Sequence, residues 1–532
     1  GIKELSKLQA VINICNDKYH TDITFQNIVQ SGLDDPKVYQ LLQKGYTQNI
    51  FQFSSKGMTK FLVSMQPDKI EDLIAANALF RPATLDSGST DKYVDCKLGD
   101  ADPVYLWGTY NAMKNTYGVL CYQEQLAQIA REVGKFSLGE GVKLVKLISK
   151  KKVDKILALR DKFMAGANEN GCPKEDAEAI WHMFEVAGGY LFNKSHATAY
   201  AVTAYAGAYL KANYPTAFYT IALQWAKDDE IPTLMSEMEL CSEAKIVPPD
   251  INVSGGTFIT DYETNKIFWS LSRIKMLGTK ATEWIINERN VRGEFSSIEN
   301  FIERIFRYKL KLYKYWDDPD NPNEATKCPV NARHVRHLIL SGCFDKVENA
   351  QSVIERYAIL EKAAKCLGFE ISEKDIPEDL RNKHYFWSQQ QIAISGIGAI
   401  DYKRIYDNSE AKPKIKGKAS WALLKNIQDP DYDGKRVAIC ANIVDIEEKK
   451  FKDKKTGENR VFCKLLLQQN NDLVEMVIWN DEWMNVRATL CKSGSLSSAK
   501  NKMLICSAQV KYSDYTGGNN LQLYKSSIID IL

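Results

Sequence analysis

Tyr190-Leu191-Phe192-Asn193-Lys194-Ser195-His196-Ala197-Thr198-Ala199-Tyr200 gathers an amide, a cation, a hydroxyl and an imidazole between aromatic residues. The stretch opens a run rich in Ala and Tyr, and Asn193 or Ser195 is placed to cap a helix there. A helix N-terminus favours an anion. Lys194 and His196 add charge and donors beside it, and Tyr190 offers a face on which a base could stack. That is the chemistry of holding a nucleotide. Small residues at Ala197, Ala199, Ala201, Ala204 and Ala208 admit a bulky neighbour. They equally suit a capped core helix with Tyr200, Tyr205 and Tyr209 packed inside, and the residues alone leave both readings open.

Two further regions carry polyanion chemistry. Lys135 to Lys155 holds seven lysines, at 135, 143, 146, 150, 151, 152 and 155, against Glu140 and Asp154. Interleaved Leu144, Leu147 and Ile148 make part of it an amphipathic helix. Its cationic side suits phosphates, because each lysine that neutralises one releases a condensed counterion; the alternative is a solvated helix face. Near the C-terminus Lys449, Lys450, Lys452, Lys454 and Lys455 crowd one loop, with Phe451, Phe462, Trp479 and Tyr512 as aromatic faces. Basic loops with stacking side chains suit single-stranded nucleic acid, unless Phe462 and Trp479 fill a core and the lysines only solubilise a hairpin.

Metal chemistry is poorly provided for. Asp100-Ala101-Asp102 has a D-x-D form, but Gly99 and Pro103 put it in a turn. Asp429-Pro430-Asp431-Tyr432-Asp433-Gly434 resembles the start of a calcium loop, yet Cys440 stands where a bidentate Glu is needed. His334 and His337, with Cys328 upstream, read as surface or packing residues rather than a zinc site. No metal ligand set is assigned.

The elements that must position these residues follow from pattern and length. At 532 residues the chain exceeds one core, and about three or four domains are expected. Hydrophobic residues at 45% and charged residues at 26% exclude a disordered or collagen-like chain. The net charge of +3 means that a charged partner must meet a local patch. No apolar run is long enough to cross a bilayer, so no membrane partner is expected. Twelve cysteines without a C-x-x-C pair read as reduced thiols in a cytoplasm. The start at Gly1 rather than Met reads as a processed or shortened polypeptide.

Residues 1 to about 250 read as helical, with Phe61, Leu62 and Met65, then Leu126, Ile129 and Val133, at helical spacing. Val247-Pro248-Pro249-Asp250-Ile251-Asn252 ends that region. A strand over Lys266 to Leu271 precedes further helices, interrupted by the loop 316–322. Five strands are predicted over Val437–Ile446, Val461–Leu467, Leu473–Trp479, Met503–Val510 and Leu521–Tyr524, which suits an OB-fold. The fold class is multidomain: mostly α, then a C-terminal all-β OB-fold barrel.

Several motifs in one order carry a family resemblance. They are Phe51-Gln52-Phe53 with Gly57-Met58, Ala78-Leu79-Phe80-Arg81-Pro82, Tyr117-Gly118-Val119, and Tyr122-Gln123-Glu124-Gln125. Ser149-Lys150-Lys151-Lys152, Phe192-Asn193-Lys194-Ser195-His196 and Pro248-Pro249-Asp250-Ile251-Asn252 follow, then Ile274-Lys275-Met276-Leu277-Gly278 and Ser341-Gly342-Cys343-Phe344-Asp345. In order and spacing they resemble the C-family replicative DNA polymerases, the alpha-subunit type of bacterial DNA polymerase III, closely over residues 1–345 and more loosely over the barrel.

The resemblance implies fingers over residues 1–252, a helix-hairpin-helix region gripping duplex over 253–385, a connecting segment over 386–430 and the OB-fold over 431–532. It implies that Tyr190, Asn193, Lys194 and His196 contact an incoming dNTP, with Arg81 as a neighbour and Lys150 and Lys151 facing triphosphate or DNA. Lys146, Lys152, Lys275, Gly278, Lys452, Lys454 and Lys455 are the expected DNA contacts. Primer-template DNA and dNTP are the implied partners, and a sliding clamp is a further partner of the whole enzyme, although no Gln-led clamp peptide stands out. A cytoplasmic setting, in a bacterium or a phage host, follows.

In this family three palm aspartates hold Mg2+, the last just ahead of a Phe-Leu-Gly segment whose end Gly1-Ile2-Lys3 resembles. The expectation is that these carboxylates lie upstream of Gly1, on a palm-bearing segment or a separate chain. Two departures stand out. Val145 and Lys146 replace the family's arginine pair, and Met276 replaces the first hairpin glycine. The contrasting function is a non-catalytic nucleic-acid-binding or scaffold protein with a polymerase-like shape; a metal-dependent hydrolase has no supporting constellation.

Overall fold

The computed structural model describes residues 2–149, 153–187, 190–306, 328–398 and, apart from a few short stretches, 400–531. Lys150, Lys151, Lys152, Lys454 and Lys455 lie outside the described residues, as does the side chain of Lys452. The chain divides into two compact units, one of Gly1–Trp225 with Glu237–Ala244, the other of Ala226–Ser236 with Lys245–Leu532.

The first unit is helical. Its long helix Lys194–Asn213 packs on Ile70–Leu79 and Pro36–Gln43. Ala197, Ala201, Ala204 and Ala208 are fully buried along it, and their small size lets those neighbours approach. Of its tyrosines only Tyr205 is fully buried; Tyr200 and Tyr209 are half-exposed. Lys211 is buried because the Tyr46 and Gln48 carbonyls accept from its ammonium at 3.0 and 2.8 Å and Glu237 pairs with it. In the basic stretch, helix Leu138–Ser149 turns Leu144, Val145 and Ile148 into a core with Leu126, Phe163 and Trp181. Lys143 and Lys146 stay exposed.

The second unit opens with a small sheet of β1 (Lys245–Val247), β2 (Ile259–Asp261) and β3 (Lys266–Phe268), in the order β1-β3-β2. Helices Thr279–Arg292, Ile298–Phe306, Ala332–Leu340 and Arg356–Leu367 then enclose Ile285, Phe301, Leu338, Phe344 and Leu360. Residues 386–430, read from sequence as a connecting segment, are packed structure. Helix His384–Ser395 buries Trp387 and Ile394 in that same core. Tyr402, Tyr406 and Ile415 then pack with Ala438, Cys440 and Ile505 on the C-terminal sheet.

That sheet comprises β4 (Ser420–Trp421), β5 (Arg436–Lys452), β6 (Asn459–Gln469), β7 (Asp472–Ile478), β8 (Met503–Ser513), β9 (Gly518–Gln522) and β10 (Ile529–Ile531). The pairs β5–β6, β6–β7, β8–β9 and β5–β8 are antiparallel and β7–β9 is parallel, so five strands close on themselves in the OB-fold order. Alternation fixes the register: Cys463, Leu465 and Leu467 point inward at 0% exposure. The region is not purely β. Helix Asn480–Leu490 lies between β7 and β8 and buries Trp483 and Leu490 in the barrel core. Asp481 and Glu482 in its first turn explain why the chain leaves the strand there.

Candidate nucleotide and nucleic-acid interface

Helix Lys194–Asn213 starts as its sequence asks, with the Asn193 side chain accepting from the His196 amide at 2.9 Å. The loop is pinned from behind. Phe192 N donates to the Cys121 carbonyl and Gln123 N to the Phe192 carbonyl, both at 2.9 Å, as a short parallel bridge. Gln125 holds the other side of that bridge. Its Oε1 accepts from the Cys121 and Tyr122 amides at 2.8 Å each, and its Nε2 donates to Thr116 Oγ1 at 2.7 Å and the Ala112 carbonyl at 3.1 Å. Gly118 allows the chain to turn into this bridge: its φ is +76°, and a Cβ there would lie 2.5 Å from the Val104 carbonyl oxygen. The Tyr-Gln-Glu-Gln and Tyr-Gly-Val motifs are thus scaffolding for the Asn-Lys-Ser-His loop.

The expected anion slot at the helix start is filled from within. Glu124 accepts from the Lys194 amide at 2.9 Å and from Asn193 Nδ2 at 3.0 Å. Lys194 leans over the Tyr122 ring at 5.6 Å, and Asn193, Lys194, Ser195 and His196 are all exposed. Burial pushes the Tyr122 phenol well above its ordinary value, so it stays neutral.

Arg81 and Tyr190 do join this group, but Arg81 faces inward. Its Nη2 donates to the Tyr190 carbonyl at 2.6 Å and its Nε to the Ala78 carbonyl at 2.9 Å, with the guanidinium 4.6 Å from the Phe192 ring. Burial lowers its pKa, yet a guanidinium stays charged. From Phe192 a ring chain continues through His196 at 5.6 Å and Tyr200 at 4.0 Å to Phe51 at 5.0 Å. Sequence reasoning missed Phe51, Glu124 and Phe192 as part of the site; only the nearby family motifs pointed to them. The arrangement offers an exposed cation and imidazole beside a stacking surface, the two needs of a nucleotide.

In the second unit Lys275, Met276 and Gly278 are exposed at the turn before helix Thr279–Arg292, which Gly278 caps, and Lys280 is exposed in that helix's first turn. His334 and His337 pack behind this turn, as expected of packing residues. His337 Nδ1 donates to the Lys275 carbonyl at 2.6 Å, and His334 Nδ1 accepts from Asn331 N at 3.3 Å. Burial, aided by neighbouring cations, draws both imidazoles below their ordinary 6.5.

On the barrel, Phe462 alternates with the buried Cys463 and so faces outward. Phe451, Phe462 and Trp479 form one surface cluster with centroids 5.3 to 5.8 Å apart, and Trp479 is 41% exposed. The alternative in which Phe462 and Trp479 fill the core is thereby excluded. Lys464, on the same face, pairs with Glu475 at 3.2 Å.

Mg2+ finds no fitting set among the described residues, where no group of three His, Cys, Asp or Glu comes together. Asp100 and Asp102 sit exposed in a turn. Asp429 and Asp433 are engaged by the Asp431 and Tyr512 amides at 2.9 Å. The twelve cysteines are unpaired, all buried except Cys241 and Cys366. No described helix is long and apolar enough to cross a membrane.

A helical unit with a basic, aromatic loop, followed by a hairpin module, belongs to the class its sequence matches: residues 4–171 match the finger domain of the bacterial DNA polymerase III alpha subunit, and residues 243–314 a helix-hairpin-helix motif. DNA polymerase III subunit alpha of Aquifex aeolicus is 34% identical over 366 residues, 68% of this chain and 29% of that protein. The Escherichia coli K12 subunit alpha is 28% identical over 528 residues, 95% of this chain and 42% of that protein. The chain belongs to the C-family polymerases, as a segment of the alpha-subunit type. It spans less than half the length of these relatives.

Proposed function

We propose that this chain is the fingers, duplex-gripping and OB-fold portion of a replicative DNA-directed DNA polymerase, acting with a palm carried on other material. The observation that supports it most is the exposed Lys194 and His196 beside the ring chain of Phe192, Tyr200 and Phe51, on a chain whose finger-domain match is direct. In this reading Lys194 and His196 meet the phosphates of an incoming dNTP, and Tyr190 or the ring chain meets its base. Asn193 and Arg81 are positioning residues, because their polar atoms are already used to hold the loop. Lys150 and Lys151 add phosphate contacts. Lys146, Lys152, Lys275 and Gly278 track the duplex, and Lys452, Lys454 and Lys455 with the Phe451–Phe462–Trp479 face track single-stranded template. Val145 is a core residue here, so the family's paired phosphate donors reduce to Lys146.

Mg2+ bound by palm carboxylates would activate the primer 3′ hydroxyl and steady the charge on the α-phosphate. The residues of this chain bind, orient and screen the nucleotide. Primer-template DNA, dNTP and the palm are the partners.

The second reading, a non-catalytic scaffold, draws on Glu124, which fills the anion slot at the helix start. One experiment separates the two. With a palm-bearing partner added, Lys194→Ala/His196→Ala should cut nucleotide incorporation by about 100-fold or more and leave primer-template affinity within about twofold. Incorporation that survives the double change makes the loop structural and favours the scaffold.

A further inference from the structure

The second unit encloses a cavity of about 840 Å³. Its walls are helix His384–Ser395, helix Tyr402–Asp407 with the residues just after it, the turn at 351–353, and Asp530 of β10. The volume lies in the range of small-molecule sites, roughly 300–1,000 Å³. None of the nucleic-acid contacts assigned above lines it.

Helix His384–Ser395 turns its start to this space. No side chain caps it at Lys383, and the His384 and Tyr385 amides find no acceptor among the described residues. Ser388 lies one turn further on, four residues from His384 and so on the same flank. It is 7% exposed and lines the cavity, and its hydroxyl has no hydrogen-bond partner among the described residues. A serine inside a helix commonly returns its hydroxyl to the carbonyl four residues back. Ser395 of the same helix does so, donating to the Gln391 carbonyl at 2.7 Å. Ser388 does not. A buried hydroxyl left unpaired costs about 1–3 kcal/mol, so this one is set for a partner from outside the chain.

The charges around the cavity are unmatched too. Lys383 and Arg404 form no ion pair with Asp401, Glu410 or Asp530 among the described residues, although all five line the same space. A ligand that answers both signs carries an anion at one end and hydrogen-bond donors at the other. A nucleotide has that form. Its phosphate suits free helix amides with Lys383, His384 and the Ser388 hydroxyl beside them. Its sugar hydroxyls and base amino group suit carboxylates, and Tyr385, half-buried in the wall, supplies an aromatic surface.

We infer that this cavity binds a mononucleotide, its phosphate at the start of helix His384–Ser395 and its sugar and base toward Asp401, Glu410 and Asp530. The site shares no residue with the Asn-Lys-Ser-His loop and does not rest on the function proposed for it.

The test uses the full chain carrying Lys194→Ala/His196→Ala, so that the loop of the first unit adds no nucleotide binding. AMP and GMP are titrated by calorimetry beside adenosine and inorganic phosphate. At least one nucleotide should bind, one per chain, about tenfold or more tightly than adenosine or phosphate alone. Ser388→Ala removes a hydroxyl that holds nothing in the free protein. It should leave the thermal midpoint unchanged or raised and weaken the nucleotide about fivefold. Lys383→Ala/His384→Ala should weaken it about tenfold or more. Glu410→Gln should weaken it about threefold and leave inorganic phosphate untouched. If neither nucleotide binds at millimolar concentration, or if binding survives Ser388→Ala and Lys383→Ala/His384→Ala within about twofold, the inference is wrong. Loss of DNA affinity in Lys383→Ala/His384→Ala with no nucleotide bound would make the cavity wall a nucleic-acid backbone contact and overturn it as well.

Discussion

Replacing Gln125 by Ala should loosen the candidate nucleotide loop without touching any of its exposed residues. Gln125 is 5% exposed, and its Oε1 is the acceptor for the buried Cys121 and Tyr122 amides. Truncation leaves two buried N–H groups without partners, each at about 1–3 kcal/mol. It also strips Thr116 Oγ1 and the Ala112 carbonyl of a donor, although the hydroxyl can turn to another. Water entering the vacated space restores part of this, so a loss of about 2–3 kcal/mol is expected. The cost falls on the segment that bridges to Phe192 and carries the start of the long helix. Hydrogen-exchange mass spectrometry on the peptide around Cys121–Gln125 reads it locally. At 2 kcal/mol the opening equilibrium shifts about 30-fold, and exchange should quicken by that factor. Exchange within about threefold of wild type would mean that the Cys121–Phe192 and Gln123–Phe192 hydrogen bonds alone hold the bridge, and the positioning role given to Gln125 would be wrong.

Two further outcomes follow from backbone and charge. Gly118→Ala places a Cβ against the Val104 carbonyl at a positive φ and should cost about 2–4 kcal/mol. A thermal melt of the variant checks it, and an unchanged midpoint would contradict the close approach. His334 and His337 are held neutral by burial below their ordinary 6.5. Below that value the unfolded chain takes up protons that the folded chain resists, so stability of the second unit should fall as pH drops from about 7 to about 5.5 and stay level above. Urea midpoints across that range test the sign; His334→Gln/His337→Gln should flatten the dependence, and a midpoint that rises on acidification would refute it.

What the sequence disclosed follows the range of the interactions involved. The barrel strands were legible because inward and outward residues alternate along β6 and β7, and the cap at Asn193 because it acts three residues away. Glu124 was invisible in its role: it reaches Asn193 across 69 positions, and a lone Glu in a helical stretch carries no sign of what it will accept from. Arg81 was placed beside the ligand only by the family resemblance, and no local pattern shows that two carbonyls and the Phe192 ring hold it inward. Helix Asn480–Leu490 was hidden because Trp479 extends the apolar alternation of β7 by one residue before the chain turns. Residues 386–395 read as connection because their aromatic residues show no clean stripe; Trp387 is buried by helices from elsewhere in the chain.

The filled anion slot constrains how the proposed nucleotide site must work. In a site built on helix amides, the phosphate would take the place that Glu124 holds, and the side chains of the first turn would only assist. Here the Lys194 amide is already satisfied by a carboxylate, whose negative charge also offsets the helix dipole at that end. In the proposed site a polyphosphate approaching the same turn would therefore be drawn by side chains rather than by backbone, through the Lys194 ammonium and the His196 imidazole on the exposed face. Glu124 serves that arrangement in a second way. By fixing Asn193 and the Lys194 backbone it gives both side chains a rigid origin, so that less freedom is lost when they close on a ligand. In that proposed site, repulsion between Glu124 and a phosphate would act as a spacer, keeping the anion out at the level of the side-chain donors and alongside the ring chain that runs from Phe192 to Phe51.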